Sequence, residues 1–262
     1  LGPAMCYGST ARPPLPPNAG AGSGAAGRDV VLMAQDGNRF NAFTALADGR
    51  TSGGPGMVIL PDVRGLHEFY RDLALRFAEA SIHATAFDYF GRTAGIEPRT
   101  EDFDFMAHVR QTTPDMIALD AAEAIAHVRS PDGGAADAVF TVGFCFGGRN
   151  SFNQAARGHH LAGVIGFYGV PQQRETDDTN APVLLAKSYR CPVLGLFGGE
   201  DRAISKTDVD AFRQALEAAG VKNEIVVYDG APHSFFDRSF EQYRKESDDS
   251  WIRMLRFVED NA

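Results

Sequence analysis

Apolar positions in this chain repeat on two periods, and the segments carrying them alternate. Residues 28–34 and 40–47 are short and rich in Val, Phe and Ala, and predict two strands joined by a turn at Asp36-Gly37-Asn38. Met57-Val58-Ile59-Leu60 is a continuous apolar run, as expected for a strand covered on both faces. Residues 68–80 place Leu73, Phe77 and Ala80 on one helical stripe. Residues 83–87 predict another strand. Residues 93–112 lack a clear period, although Phe103, Phe105 and Met106 offer anchors, so a structured loop or short helix is expected. Thr113-Pro114 predicts a helix start, with Thr113 as N-cap and Pro114 at the first helical position. Ile117, Ala121, Ala124, Ile125 and Val128 form its stripe. A β-branched run at 139–142 leads into a glycine-rich turn and a helix over 146–156. Further strands are predicted at 162–167, 191–197 and 224–228. Residues 172–180 read as a polar surface loop. Residues 207–219 predict a helix stopped by Gly220, and Trp251, Leu255 and Val258 sit at helical spacing in a closing helix.

Strands alternating with helices predict an α/β protein with a mainly parallel central sheet and helices on both faces. The tight turn between the first two strands predicts an antiparallel start. No internal repeat or second core is evident, so residues 29–262 read as one domain. Residues 1–28 form a Pro/Gly-rich N-terminal arm, with polyproline II character at Pro13-Pro14-Leu15-Pro16-Pro17. Leu1-Gly2-Pro3-Ala4, ahead of Met5, reads as an expression-tag remnant. Gly22, Gly24 and Gly27 match a dinucleotide fingerprint, but that motif needs a strand before it and a helix after it. Here a proline run precedes it and a strand-like segment follows.

Composition narrows the function classes. The 262 residues are 44% hydrophobic and 23% charged, which suits a globular chain with a sizeable core. A net charge of −9 argues against a nucleic-acid partner. No apolar run approaches a membrane span, and no secretory signal is visible. Cys6, Cys145 and Cys191 are odd in number and form no C-x-x-C, which favours neither a disulfide framework nor a zinc site. A reducing, cytoplasmic setting is expected. His67-Glu68 begins an H-E-x-x-H pattern that fails at Arg71, and no phosphate-binding loop is present, so neither metal nor cofactor is expected. His67 is expected to be exposed. Nothing in the pattern sets the oligomeric state.

The candidate chemistry centres on Gly143-Phe144-Cys145-Phe146-Gly147, a thiol version of the G-x-S-x-G nucleophile elbow. A buried strand breaks sharply into a helix there, and small residues are needed where strand and helix approach. The alternative is a small buried Cys packed as a hydrophobe. Ligands in open α/β sheets bind beyond the C-terminal strand ends, and Asp62, Arg92, Cys145, Asp201 and His233 all fall at such ends. Cys145, Asp201 and His233 follow the order nucleophile, acid, histidine of α/β-hydrolases. A histidine can take the thiol proton and later deliver one, and a carboxylate can fix the imidazole tautomer. Separately, Asp201 could cap the helix after Ser205, and His233 could be a turn residue.

Taken together, Gly143-Phe144-Cys145-Phe146-Gly147-Gly148, Gly199-Glu200-Asp201, His233-Ser234-Phe235 and Asp88-Tyr89-Phe90-Gly91-Arg92 resemble the dienelactone hydrolase (carboxymethylenebutenolidase-like) family of α/β-hydrolases. The resemblance implies an α/β-hydrolase fold over roughly residues 29–260 and hydrolysis of a small, dienelactone-like ester or lactone substrate that is expected to bear a carboxylate. It implies Cys145 as nucleophile, His233 and Asp201 as its partners, and the N–H groups of Phe146 and Val63 as the oxyanion hole. It implies Arg92 as a carboxylate clamp. Two departures stand out. Asp62 occupies the place of the family glutamate that holds the thiol proton at rest. Arg238 lies one residue beyond the place of a second substrate-binding arginine, displaced by Asp237. Thioester or aryl-ester hydrolysis on the same fold, or a non-catalytic ligand-binding or thiol-sensing role, are the alternative readings.

Overall fold

The computed structural model describes residues 11–17, 25–47, 52–100 and 102–262. Cys6, Gly22, Gly24 and the 1–4 remnant lie outside the described residues.

Eight strands form one sheet: β1 (Gly27–Met33), β2 (Arg39–Ala45), β3 (Pro55–Leu60), β4 (His83–Phe87), β5 (Ala138–Phe144), β6 (Gly163–Phe167), β7 (Val193–Gly198) and β8 (Asn223–Tyr228). Their spatial order is β1-β2-β4-β3-β5-β6-β7-β8. The β1–β2 and β2–β4 pairs are antiparallel and the other pairs are parallel. The antiparallel start is as the tight Asp36-Gly37-Asn38 turn predicted, and the mainly parallel remainder is as the alternation predicted. The parallel strands need crossover helices, and α1 (Glu68–Glu79), α4 (Pro114–Arg129), α5 (Phe146–Gln154) and α7 (Lys206–Ala218) supply them. α8 (Arg244–Glu259) closes the chain.

The apolar run of β3 explains why the sheet is covered on both sides. Successive strand side chains point to opposite faces. Met57 and Ile59 join a core cluster with Phe69, Leu73 and Phe77 of α1 and Trp251 of α8. Val58 and Leu60 join a second cluster with Ile117, Ala121, Ile125 and Val128 of α4. The α4 start matches its sequence signal: Thr113 accepts a hydrogen bond from the Met116 N–H and Pro114 opens the helix. The aperiodic stretch holds two short helices, α2 (Gly91–Ala94) and α3 (Phe105–Val109), and the loop after β6 leads to α6 (Pro182–Leu185).

Within the Pro-rich stretch, Pro13, Pro14 and Pro16 are buried. The indole N–H of Trp251 donates to Pro14 O at 3.1 Å, and Arg12 pairs with Asp72 of α1 at 3.0 Å. This segment therefore ties α1 to α8. Among the described residues, no helix is long and apolar enough to cross a membrane.

Candidate active site

β5 runs to Phe144 and α5 starts at Phe146, so Cys145 carries the whole change of direction. Its backbone takes φ 55° and ψ −110°, in the left-handed half of conformational space that non-glycine residues avoid. The surrounding contacts hold it there. The Cys145 N–H donates to Phe167 O at the end of β6, and Cys145 O accepts from the Arg149 N–H. The glycine spacing has a direct steric reason. A Cβ on Gly143 would lie 2.0 Å from Gly147 O, and one on Gly147 would lie 2.0 Å from Leu60 O. The thiol is half-buried on this bend. Thr141 and Ser151 hydroxyls, 2.8 Å apart, bind strand to helix below it.

Two later strand ends converge on Cys145. Asp201 follows β7 and His233 follows β8 by way of Asp229-Gly230-Ala231-Pro232. His233 Nδ1 lies 2.6 Å from Asp201 Oδ2. Asp201 Oδ1 accepts from the Ala203 N–H at 2.8 Å, which fixes the carboxylate. The following helix is capped by Ser205 and Asp208 instead, so capping is not the job of Asp201. Burial alone would push the His233 imidazole down. The Asp201 hydrogen bond and the facing Cys145 outweigh it and hold the imidazole up at about 10. His233 Nε2 is buried and has no conventional hydrogen-bond partner among the described residues. A carboxylate-anchored imidazole against a thiol can take up and return a proton.

The other expected residues have mixed placements. Val63 follows β3 and Phe146 opens α5, so both backbones flank the elbow. The Phe146 N–H is one of the helix-start donors that have no partner within the helix. Asp62 is buried, but its carboxylate is engaged by Arg64 at 3.2 Å and approached by His67 at 3.7 Å. Burial opposes its charge, and His67 and Arg64 overcome that and draw it down to about 2. His67, expected to be exposed, is mostly covered: at the start of α1 its ring packs against Tyr70, with centroids 4.8 Å apart, and its Nε2 turns toward Asp62. Arg238 is exposed and lines a groove of about 620 Å³ together with His233, Ser234, Arg202, Glu200 and Tyr243.

Arg92 departs from its expected role. Its guanidinium is held by Asp36 in the β1–β2 turn and by Asp120 of α4, the latter at 2.7 Å. Asn38 also donates to Asp120. The hairpin and α4 each place one acid beside α2, and no local sequence pattern announces either. A guanidinium shared by two carboxylates is a poor clamp for a third. Near the site, Arg99 is likewise bound to Asp88 at 2.7 Å.

Three neighbours were given no role by the sequence reading. Tyr168, directly after β6, has φ 37° and packs its ring on His233 with centroids 4.8 Å apart. It stands at a strand end, the signal that picked out the other residues. Asp237 is buried four residues beyond His233. Arg149 of α5 donates to Val170 O and Gln172 O and pairs with Asp178 at 2.6 Å, anchoring the loop expected to be only polar surface. Among the described residues, no group of three His, Cys, Asp or Glu is arranged to hold a metal ion.

A family model described as "Dienelactone hydrolase family" matches residues 40–261. A Salmonella typhimurium protein named "Putative carboxymethylenebutenolidase" is 30% identical over 236 residues, spanning 89% of this chain and 87% of its own. An Escherichia coli protein of the same name is 30% identical over 205 residues, spanning 78% and 76%. A crystal structure from Klebsiella pneumoniae, described as a "Putative Dienelactone Hydrolase", superposes with a TM-score of 0.76 at 27% identity, covering 89% of this chain and 99% of that one.

Proposed function

The chain belongs to the dienelactone hydrolase family, enzymes of α/β-hydrolase fold that act on esters and lactones, and from that premise we propose that it cleaves a small ester or lactone through an acyl-enzyme on Cys145. The observation that carries this reading is the convergence of Cys145, His233 and Asp201 from three strand ends, with Asp201 bound to His233 Nδ1 at 2.6 Å.

The steps follow from that arrangement. Cys145 Sγ attacks the carbonyl carbon while its proton resides on His233 Nε2. Charge develops on the former carbonyl oxygen, and the N–H groups of Phe146 and Val63 receive it, a contribution of about 3–4 kcal/mol for one such donor. The C–O bond then breaks, and His233 passes its proton to the leaving oxygen. The acyl group remains as a thioester. His233 next takes a proton from water, the hydroxide attacks the thioester, and the thiol leaves with its proton restored. Asp201 keeps Nδ1 protonated and balances the imidazolium in both halves. No cofactor is called on in these steps.

The expected substrate carboxylate is a finer matter. Its anticipated clamp, Arg92, is engaged by Asp36 and Asp120. An anionic group on the leaving side of the substrate would instead meet Arg238, which shares a groove with His233. Thioester or aryl-ester substrates need no Arg92 clamp, so its pairing favours them as a second reading with the same chemistry.

Replacing Cys145 by Ala is expected to abolish ester and lactone turnover while the circular dichroism spectrum stays unchanged. Mass spectrometry of the wild type with an activated ester should show the acyl adduct on Cys145. Turnover by the Ala variant would overturn the reading, and oxidation of Cys145 without any acylation would favour a thiol-sensing role.

A further inference from the structure

The proposed steps ask His233 Nε2 to exchange protons with Cys145, then with a leaving oxygen and a water. Among the described residues the imidazole has one conventional hydrogen bond, from Nδ1 to Asp201 at 2.6 Å, while Nε2 is buried without such a partner. A ring pinned at one atom can pivot about that atom and carry Nε2 off line. Tyr168 occupies the space for such a pivot. Its ring centroid lies 4.8 Å from that of His233, with the two planes at 52°. The Tyr168 side chain is fully buried, so it has no solvent to yield into.

Tyr168 is itself held from several sides. Its N–H donates to Leu196 O of β7 at 2.8 Å. The residue before it, Phe167, accepts from the Cys145 N–H at 3.0 Å. The start of α5 presses on the same strand end: a Cβ on Gly148 would lie 2.4 Å from Phe167 O, and one on Gly169 would lie 2.3 Å from the Arg149 nitrogen. Phe235, in the loop carrying His233, meets the Tyr168 ring edge-on at 5.7 Å. These contacts hold Tyr168 at φ 37°, which a bulky residue adopts only where its surroundings impose it. Cys145 at φ 55° and Ser234 at φ 61° share that half of conformational space. The elbow, the end of β6 and the histidine loop are thus locked into one unit, with the Tyr168 ring between them.

We propose that Tyr168 is a positioning residue for the acyl transfer: its ring props the His233 imidazole so that Nε2 stays in line while Asp201 holds Nδ1. This role rests on acylation at Cys145 as described above. The ring face also favours the imidazolium formed in each half of the reaction, because a cation within about 6 Å of an aromatic centroid is attracted to it. The buried hydroxyl has no conventional hydrogen-bond partner among the described residues, so the role belongs to the ring.

Two variants separate ring from hydroxyl, with p-nitrophenyl butyrate as substrate. Tyr168→Leu keeps the position apolar but removes the flat ring. It should lower kcat by about tenfold to hundredfold, the scale on which a misplacement of about 1 Å acts. KM should change little, because His233 serves both acylation and deacylation. Tyr168→Phe should recover most of that loss. In proton NMR, the far-downfield Nδ1–H resonance of the carboxylate-bound imidazole should stay sharp in the wild type and Tyr168→Phe and broaden in Tyr168→Leu. A side chain that only stabilised the fold would leave that resonance unmoved in folded protein. Wild-type kcat or an unmoved resonance in Tyr168→Leu would overturn the proposal. So would a kcat in Tyr168→Phe that falls by tenfold or more, a result that decides the matter even if the Leu variant fails to fold. In each of these cases Cys145-dependent turnover leaves the acyl-enzyme reading intact, whereas cleavage that survives Cys145→Ala would overturn both.

Discussion

His233 Nδ1 sits 2.6 Å from Asp201 Oδ2, and the side chains concerned are 11% and 1% exposed. A hydrogen bond this sheltered fixes both the tautomer and the ring direction. Asp201→Asn keeps the shape but presents an amide donor or a neutral acceptor. It is expected to lower kcat/KM by roughly 10²–10⁴-fold with little change in fold, because the imidazolium loses its compensating charge. Steady-state kinetics on a neutral ester, with near-ultraviolet circular dichroism as the fold control, checks this.

The same pair makes stability depend on pH. Despite the opposing effect of burial, the His233 imidazole is raised to about 10 in the folded chain by Asp201 and Cys145. A group raised on folding stabilises most fully below its unfolded value, about 6.5, and that stabilisation is lost as pH rises through the folded value. The melting temperature should therefore fall between about pH 7 and about pH 10. In Asp201→Asn the fall should be shallower over the same range, as followed by thermal denaturation at several pH values.

Asp237 behaves in the opposite way to a useful ion pair. Burial pushes its carboxyl up to about 6, reinforced by Asp62, so ionisation above that value costs folding free energy. Its stabilising effect is present below the ordinary carboxylate value and lost as pH rises through about 6. Asp237→Asn should therefore raise the melting temperature more at about pH 8 than at about pH 4. Differential scanning calorimetry at both values tests the sign.

Arg92→Ala should act on stability rather than on recognition of an acyl carboxylate. It strands Asp120, whose side chain is only 2% exposed, while Asp36 remains 40% exposed. We expect a loss of about 2–3 kcal/mol in urea denaturation, below the usual range for splitting a buried pair because Asp36 stays solvated. A selective loss of turnover for acidic esters would contradict this assignment.

Trp251 is the sole tryptophan of the chain, and its indole N–H donates to Pro14 O. Removing residues 1–17 should expose that ring and shift its fluorescence to longer wavelength. The lost hydrogen bond alone accounts for about 1 kcal/mol, and uncovering the apolar ring adds to it. Unchanged emission would mean that the segment does not cover Trp251 in solution.

Gly147 offers a local test of the elbow. A methyl group there meets Leu60 O at 2.0 Å, and backbone on both sides prevents relief. Gly147→Ala is expected to cost about 3 kcal/mol or more and to depress turnover by displacing Cys145.

The extent to which the chain is readable follows from how local each cause is. Continuous apolar runs such as Met57–Leu60 and the Thr113-Pro114 helix start act over a few residues, so the elements they mark appear in the sequence with small shifts at their ends. The elbow is likewise local, because Gly143 and Gly147 answer a clash between adjacent strand and helix. Arg92 shows the limit. It falls at the expected strand end, yet its partners come from a hairpin 56 residues away and a helix 28 residues away. Asp237 carries no pattern of its own, and its charge properties exist only because folding buries it near Asp62 and Tyr168.

The sequence by itself determined the alternation of strands and helices, the antiparallel start, and Cys145, Asp201 and His233 at strand ends in hydrolase order. Periodicity, glycine sterics and chain order are written along one dimension. Only the tertiary structure decided which guanidinium groups are matched by carboxylates, that Pro14 covers Trp251, and that Asp62 and Asp237 are both buried. Those outcomes depend on distances and burial between residues far apart in the chain, and electrostatic energies exist only once those distances are set.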